Sequence, residues 1–170
     1  MSGVKNTQAI LGLGSNIGNR LSFIKLTLNN LEKILTIEDI SSIYESESLK
    51  KNHQKKYYNI VIKVETCYKP EELLKYLKNI EVTIGRIYRG KWEEREIDID
   101  IIDYNGEVIK NDILTLPHYD MHNRSFVLYP LLEVYPNYIH PIYKKNINEL
   151  IENLKYKLDI KKIGAINKCQ

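Results

Sequence analysis

The sequence predicts an α+β fold: a ferredoxin-like β-α-β-β-α-β sandwich with one antiparallel sheet, plus a C-terminal extension. Three observations carry the prediction. Four short segments (9–14, 37–44, 57–65 and 97–102) are apolar, β-rich or alternating, as buried and half-buried strands are. Two longer segments repeat apolar residues at three- and four-residue steps, one between the first and second strands and one between the third and fourth. Each helix thus has one apolar face, enough to cover one face of a shared sheet. The chain of 170 residues, 43% hydrophobic and 28% charged, can bury one real core, and residues 1–170 read as a single domain without linker or low-complexity tract.

Ala9-Ile10-Leu11-Gly12-Leu13-Gly14 is an apolar run bounded by turn residues, hence a buried strand. Ser15-Asn16-Ile17-Gly18-Asn19-Arg20 turns into a helix that Ser15, Asn16 or Asn19 can cap. This turn lacks the lysine and the full glycine pattern of a phosphate-binding loop, so it reads as strand-to-helix punctuation. Leu21, Ile24, Leu28, Leu31 and Leu35 mark one helical face. Residues 37–44 form the second strand, 45–56 (ESESLKKNHQKK) a polar loop, and 57–65 the third strand, with Tyr57 and Asn59 on one face where the loop enters. Pro70-Glu71-Glu72 starts the second helix, with acids at its positive end. Its stripe of Leu73, Leu77, Ile80, Ile84 and Ile87 runs to a loop around Gly90. After the fourth strand come a turn at Asn105-Gly106, a short strand at 107–109, and a polar loop at 114–126 that Pro117 bars from being a central strand. The apolar run 126–134, an amphipathic helix at 148–158 and a solvated lysine-rich tail complete the chain. The second sheet face needs a cover, either the long second loop, the arginine-rich loop or the C-terminal third.

The net charge of +3 permits anionic substrates without demanding nucleic acid. Cys67 and Cys169 are the only cysteines, too few for a zinc set or a disulfide framework. A reducing compartment is the simpler assumption. The N-terminus lacks the apolar run of a signal peptide, and no stretch reaches the roughly 20 apolar residues of a membrane span. The expectation is a cytoplasmic protein with no membrane partner.

The densest chemistry lies at 85–102, GRIYRGKWEEREIDIDII. Strand alternation puts Asp98 and Asp100 on one face, about 6.6 Å apart along the strand, and Ile97, Ile99 and Ile101 on the other. Two carboxylates so placed repel each other and call for a cation. Arg86, Arg89, Lys91 and Arg95 just upstream suit phosphate oxygens. An acidic pair beside a basic loop is what a metal–nucleotide complex requires. A lone D-x-D is more often a solvated strand face, and a basic loop alone a solvated rim. The combination with Trp92, an aromatic set among charges, raises the site reading.

Four segments in order are similar to the 6-hydroxymethyl-7,8-dihydropterin pyrophosphokinase family of folate biosynthesis: GLGSNIGNR, YYNIV, GRIYRGKWEEREIDIDII and LTLPHYDMHNRSFVLYPLLEV. The family's central signature R-W-G-P-R-x-L-D-L-D is met by Lys91-Trp92-Glu93-Glu94-Arg95-Glu96-Ile97-Asp98-Ile99-Asp100. Its P-H-x-x-[MLH]-x-x-R-x-F pattern is met by Pro117, His118, Met121, Arg124 and Phe126. The resemblance implies transfer of the β,γ-diphosphate of ATP to the pterin hydroxymethyl oxygen, releasing AMP. It implies that Asp98 and Asp100 hold two Mg²⁺ ions and that Arg86 and Arg95 act with them in catalysis. ATP would meet Arg86, Lys91, Trp92, Arg95, His118, Tyr119 and Arg124, with Lys78, Ile101 and Thr115 as further nucleotide-side candidates. Tyr57 and Phe126 would flank the pterin, Asn59 would read its edge, and Ser46, Leu49, Trp92 and Asp98 would complete the pocket. The loops 45–56 and 86–95 would close over the substrates and exclude water.

Glu93-Glu94 departs from the usual Gly-Pro and adds negative charge to a loop that meets phosphates. Lys91 replaces an arginine and loses bidentate geometry. Tyr88 stands where some members are basic, and Glu47 where proline is frequent. ATP affinity is therefore expected to differ from the family norm. Two other classes fit the fold. A nucleic-acid module would stack bases on strand aromatics, but here the last strand presents acids. A ligand-sensing domain would need a catalytic partner domain, which this chain does not carry. The expected partners are ATP and the pterin, without nucleic acid; the resemblance leaves room for association with other folate-pathway enzymes.

Overall fold

A computed structural model describes residues 6–48, 54–91, 93–155 and 159–166. Its main sheet is built from β1 (Thr7–Ser15), β2 (Thr36–Ile40), β3 (Ile43–Ser46), β4 (Tyr57–Thr66), β5 (Asp98–Tyr104) and β8 (Ile160–Gly164), in the order β5-β1-β4-β3-β8, with β2 also on β4. All of these pairings are antiparallel. Helices α1 (Arg20–Leu31) and α2 (Pro70–Ile84) supply the two crossovers of the expected β-α-β-β-α-β order. They cover one sheet face, where Leu11, Leu13, Ile60, Ile62, Ile99 and Ile101 meet Ile24, Leu28, Leu73 and Leu77.

The expected second strand is two strands. Both β2 and β3 pair with β4, and the break falls at Ser41, whose hydroxyl accepts from the Val61 amide (3.0 Å). Helix α1 begins at an Asn19 cap, the side chain accepting from Ser22 N. Helix α2 ends earlier than its apolar stripe suggested. Gly85, at φ +106°, takes the left-handed conformation that closes a helix, and Ile87 is left exposed.

The C-terminal third covers the second face. Helices α3 (Ser125–Val134) and α4 (Ile147–Glu152) press Val127, Leu128, Leu131 and Leu150 onto Ile10, Val61 and Ile102. The apolar run 126–134 is thus a helix despite Pro130. The last helix stops at Glu152, and part of the tail expected to be solvated is a strand, β8, on the edge of β3. Lys162 ties it down through Glu133, which also accepts from Ser42 N and the Tyr44 hydroxyl (both 2.6 Å). The short strand expected at 107–109 is β6 (Ile109–Lys110), paired with β7 (Thr115–Leu116). No helix among the described residues is long and apolar enough to cross a membrane.

Candidate active site

Covering this face only in part leaves a cleft over one end of β1, β4 and β5, about 800 Å³ with its open mouth included. Its floor is made by residues of period two: Gly12 and Gly14, Asn59 and Val61, Asp98, Asp100 and Ile102. Gly14 leaves little room for a side chain. A Cβ there would lie 3.3 Å from Asn59 Oδ1 and 3.6 Å from the Tyr57 ring. Tyr57 lines the β4 side of the cleft and Phe126, from the first turn of α3, lines the opposite cover. Asn59 is buried, and its amide nitrogen donates to Ser46 Oγ (2.9 Å) and Tyr44 O (3.3 Å), which turns its carbonyl oxygen over Gly14.

The two acids share the cleft but not their surroundings. Asp98 accepts from Arg86 (2.7 Å) on one oxygen and Arg95 (2.8 Å) on the other, and Lys78 reaches round the open edge of β5 to 3.9 Å. Burial alone would raise its pKa; Lys78, Arg95 and Arg86 outweigh that and hold it below the usual carboxylate range. Asp100 accepts no hydrogen bond among the described residues. Burial and the adjacent Asp98 charge push it up to about 6. A half-buried carboxylate without a donor, next to a second one, is a hard oxygen donor set suited to a divalent cation such as Mg²⁺.

Behind the acids stands Glu81 of α2, buried to 3% exposure. It accepts from the Ile99 amide (2.7 Å) and Lys78 (2.8 Å) and pairs with Arg86. A second clip, Arg89 on Glu96 with contacts of 3.0 and 2.5 Å, holds the arginine-bearing loop. Arg124, from the cleft wall, pairs with Asp120 (3.1 Å) and lies 5.7 Å over the Phe126 ring. His118 donates its backbone N–H to Ile102 O (2.8 Å) and so lies along the edge of β5. Burial first, then Arg124, lowers its pKa to about 4, so it is neutral at physiological pH.

The structure therefore brings Ser46, Tyr57, Asn59, Arg95, Asp98, Asp100, Arg124 and Phe126 to one cleft, with Arg86 and Lys78 joined to it through Asp98. Lys91 is exposed, and Tyr119, stacked on His118 at 4.7 Å, is 64% exposed. The Ile101 side chain faces the helices, as the alternation required, and Thr115 lies on β7 beside β5. Leu49 and Trp92 lie outside the described residues. The reading of the sequence missed Glu81 and Asn16. Asn16 is fully buried; its Oδ1 accepts from Arg95 N (2.9 Å) and its amide nitrogen donates to Lys55 O (3.4 Å). The only signal for it was the Ser-Asn turn.

The family model described as 7,8-dihydro-6-hydroxymethylpterin-pyrophosphokinase (HPPK) matches residues 10–136. The 2-amino-4-hydroxy-6-hydroxymethyldihydropteridine pyrophosphokinase of Aquifex aeolicus is 48% identical over 139 residues, 82% of this chain and 87% of that protein. A folic acid synthesis protein of Dictyostelium discoideum is 41% identical over 153 residues, 90% of this chain but 23% of that protein. Among solved structures, wild-type HPPK-DHPS of Plasmodium falciparum superposes with a TM-score of 0.71 at 19% identity, over 87% of this chain and 44% of that one, a likeness of fold.

Proposed function

Because the chain belongs to the 7,8-dihydro-6-hydroxymethylpterin-pyrophosphokinase family, we propose that it transfers diphosphate from ATP to the hydroxymethyl group of 6-hydroxymethyl-7,8-dihydropterin, releasing AMP, in folate synthesis. The observation that carries this reading is the cleft itself. Two carboxylates and the arginines Arg86, Arg95 and Arg124 gather there with Asn59 and two aromatic rings, Tyr57 meeting Arg95 and Phe126 lying 5.7 Å from the Arg124 guanidinium.

In this reading the substrate hydroxyl oxygen attacks the β-phosphorus and gives up its proton to solvent, while the bond from that phosphorus to the oxygen bridging to the α-phosphate breaks and its electron pair leaves on AMP. No side chain forms a covalent intermediate, so catalysis rests on alignment and on charge. Tyr57 and Phe126 hold the ring between them, and Asn59, fixed by Ser46, turns an amide oxygen to its edge. Arg86 and Arg95 leave Asp98 for the phosphate oxygens and neutralise charge as it develops. Arg124 approaches from the opposite wall. Asp98 and Asp100 would hold Mg²⁺, which would supply positive charge to offset that of the phosphates. Glu81 holds Lys78, Arg86 and the start of β5 in register with one another.

The relatives of much greater length, including the P. falciparum HPPK-DHPS chain, support a place beside other folate-synthesis enzymes. The direct test is product identity. With ATP, Mg²⁺ and the hydroxymethyl-dihydropterin, the protein should yield AMP; formation of ADP, or no turnover, would overturn the assignment.

A further inference from the structure

The direction in which Asn59 points is set by β3, a strand of only four residues that starts beyond the break at Ser41 and ends at the cleft with Ser46. Period-two alternation turns Tyr44 and Ser46 to the sheet face that α3 covers, opposite Asn59 and Tyr57 of β4. Both hydrogens of the Asn59 amide are taken there, by Tyr44 O (3.3 Å) and Ser46 Oγ (2.9 Å). Its oxygen is left for the cleft only while both acceptors stay within reach. Four residues make few ladder bonds, so side-chain anchors decide where such a strand sits.

Glu133 is the polar anchor of β3. Its Oε2 accepts from Ser42 N (2.6 Å), the backbone donor just ahead of the strand, and its Oε1 from the Tyr44 hydroxyl (2.6 Å). Lys162, opposite Tyr44 on the β3–β8 ladder, pairs with the same oxygen (2.5 Å). Burial opposes the Glu133 charge, but Lys162, Tyr44 and Ser42 outweigh it and hold the carboxyl below its ordinary value. Bonds to an ionised acceptor are stronger than neutral ones. Glu133 lies seven residues after Phe126, on the same stripe of α3. It does not line the cleft. One side chain thus joins the helix that carries Phe126 to the strand that orients Asn59.

We propose that Glu133 is a positioning residue for ring recognition: by fastening β3 to α3 through Tyr44 and Ser42, it keeps the Asn59 oxygen turned into the cleft and so sets the affinity for the pterin. The proposal rests on the function assigned above. The nucleotide is held by other elements, the segment before β5 and the strand itself, and should be indifferent to this joint.

The test is a set of calorimetric titrations of wild type, Tyr44→Phe, Glu133→Gln and the double variant. Tyr44→Phe removes one hydroxyl and keeps the ring; Glu133→Gln keeps the shape and one acceptor oxygen, so neither empties the core. A Mg²⁺ complex of an ATP analogue with a methylene between the α- and β-phosphates is titrated first, and 6-hydroxymethylpterin then into the protein saturated with it. Each single variant should bind the pterin roughly three- to tenfold more weakly, part of the worth of a hydrogen bond to a charged group. Each should bind the nucleotide analogue within about twofold of wild type. The double variant should lose less than the product of the two single losses, because both act through one bond. A role in stability alone would lower the melting temperature and leave both affinities in place. That result overturns the proposal, as do a nucleotide affinity that falls in step with the pterin affinity and losses that multiply in full. A wild type that binds neither probe overturns the assigned activity instead, and the proposal with it.

Discussion

Asp98 and Asp100 are two residues apart on the same strand face, yet their electrostatic states are opposite. Three cations depress the first, while burial and its neighbour raise the second to about 6. A carboxyl group whose folded pKa is raised stabilises the fold below its unfolded pKa and loses that stabilisation as pH rises through the folded value. Asp100 therefore destabilises the unliganded protein at neutral pH, by about 2 kcal/mol after allowance for its partial exposure. Asp100→Asn should melt at higher temperature than wild type at pH 8, the difference vanishing near pH 4, while turnover falls roughly 10²-fold or more. A variant that is both active and no more stable would contradict this account. Glu81 behaves differently, since it joins Ile99, Lys78 and Arg86 away from the reacting atoms. Glu81→Leu should cost about 3 kcal/mol in denaturant unfolding, because it strands buried donors. It should lower turnover as well, through the displaced arginine.

At the scale of the elements, the edge of β3 is the exposed joint. Strand β8 closes it, and Lys162 bonds to Glu133 beneath. Deleting residues 160–170 should lower the melting temperature by several degrees, and light scattering should reveal association through the uncovered edge. Strand β8 was illegible in the sequence because Ile160-Lys161-Lys162-Ile163-Gly164 carries two lysines in a short run, and pairing partners are not written locally. Helix α3 was masked by Pro130, whose cost is met by burial of the helix against Val61 and Ile102. The strands β1, β4 and β5 were legible because period-two alternation and one-sided burial are local properties, and the same alternation placed the two acids on the cleft face. Glu81 was not legible. An acid beside an apolar stripe looks the same whether it faces water or closes a polar hub, and only the packing of α2 against β5 decides which. The early end of α2 at Gly85 reflects a glycine stop signal that the continuing stripe outweighed in the reading.

The whole molecule is two cores on either side of one sheet, and the second holds a buried histidine. His140 lies edge-on to Tyr138 of that core, 2% exposed, its Nδ1 accepting from the amides of Ile142 (3.2 Å) and Tyr143 (3.3 Å). Burial, then the nearby His122, lowers its pKa to about 4. The unfolded chain takes up that proton first, so stability held above pH ~6.5 is lost as pH falls toward 4, on the order of 2 kcal/mol. Unfolding free energy measured across that range should flatten in His140→Asn, whose amide oxygen can replace the acceptor; an unchanged slope would place the acid sensitivity elsewhere. One consequence follows from the resting contacts of Arg86 and Arg95, both of which lie on Asp98. Cations already neutralised within the protein recruit few counterions from solution. The binding of a polyphosphate should then respond to ionic strength less steeply than the number of its guanidinium contacts would suggest. Asp98→Asn, by releasing them, should steepen that response even as it abolishes turnover.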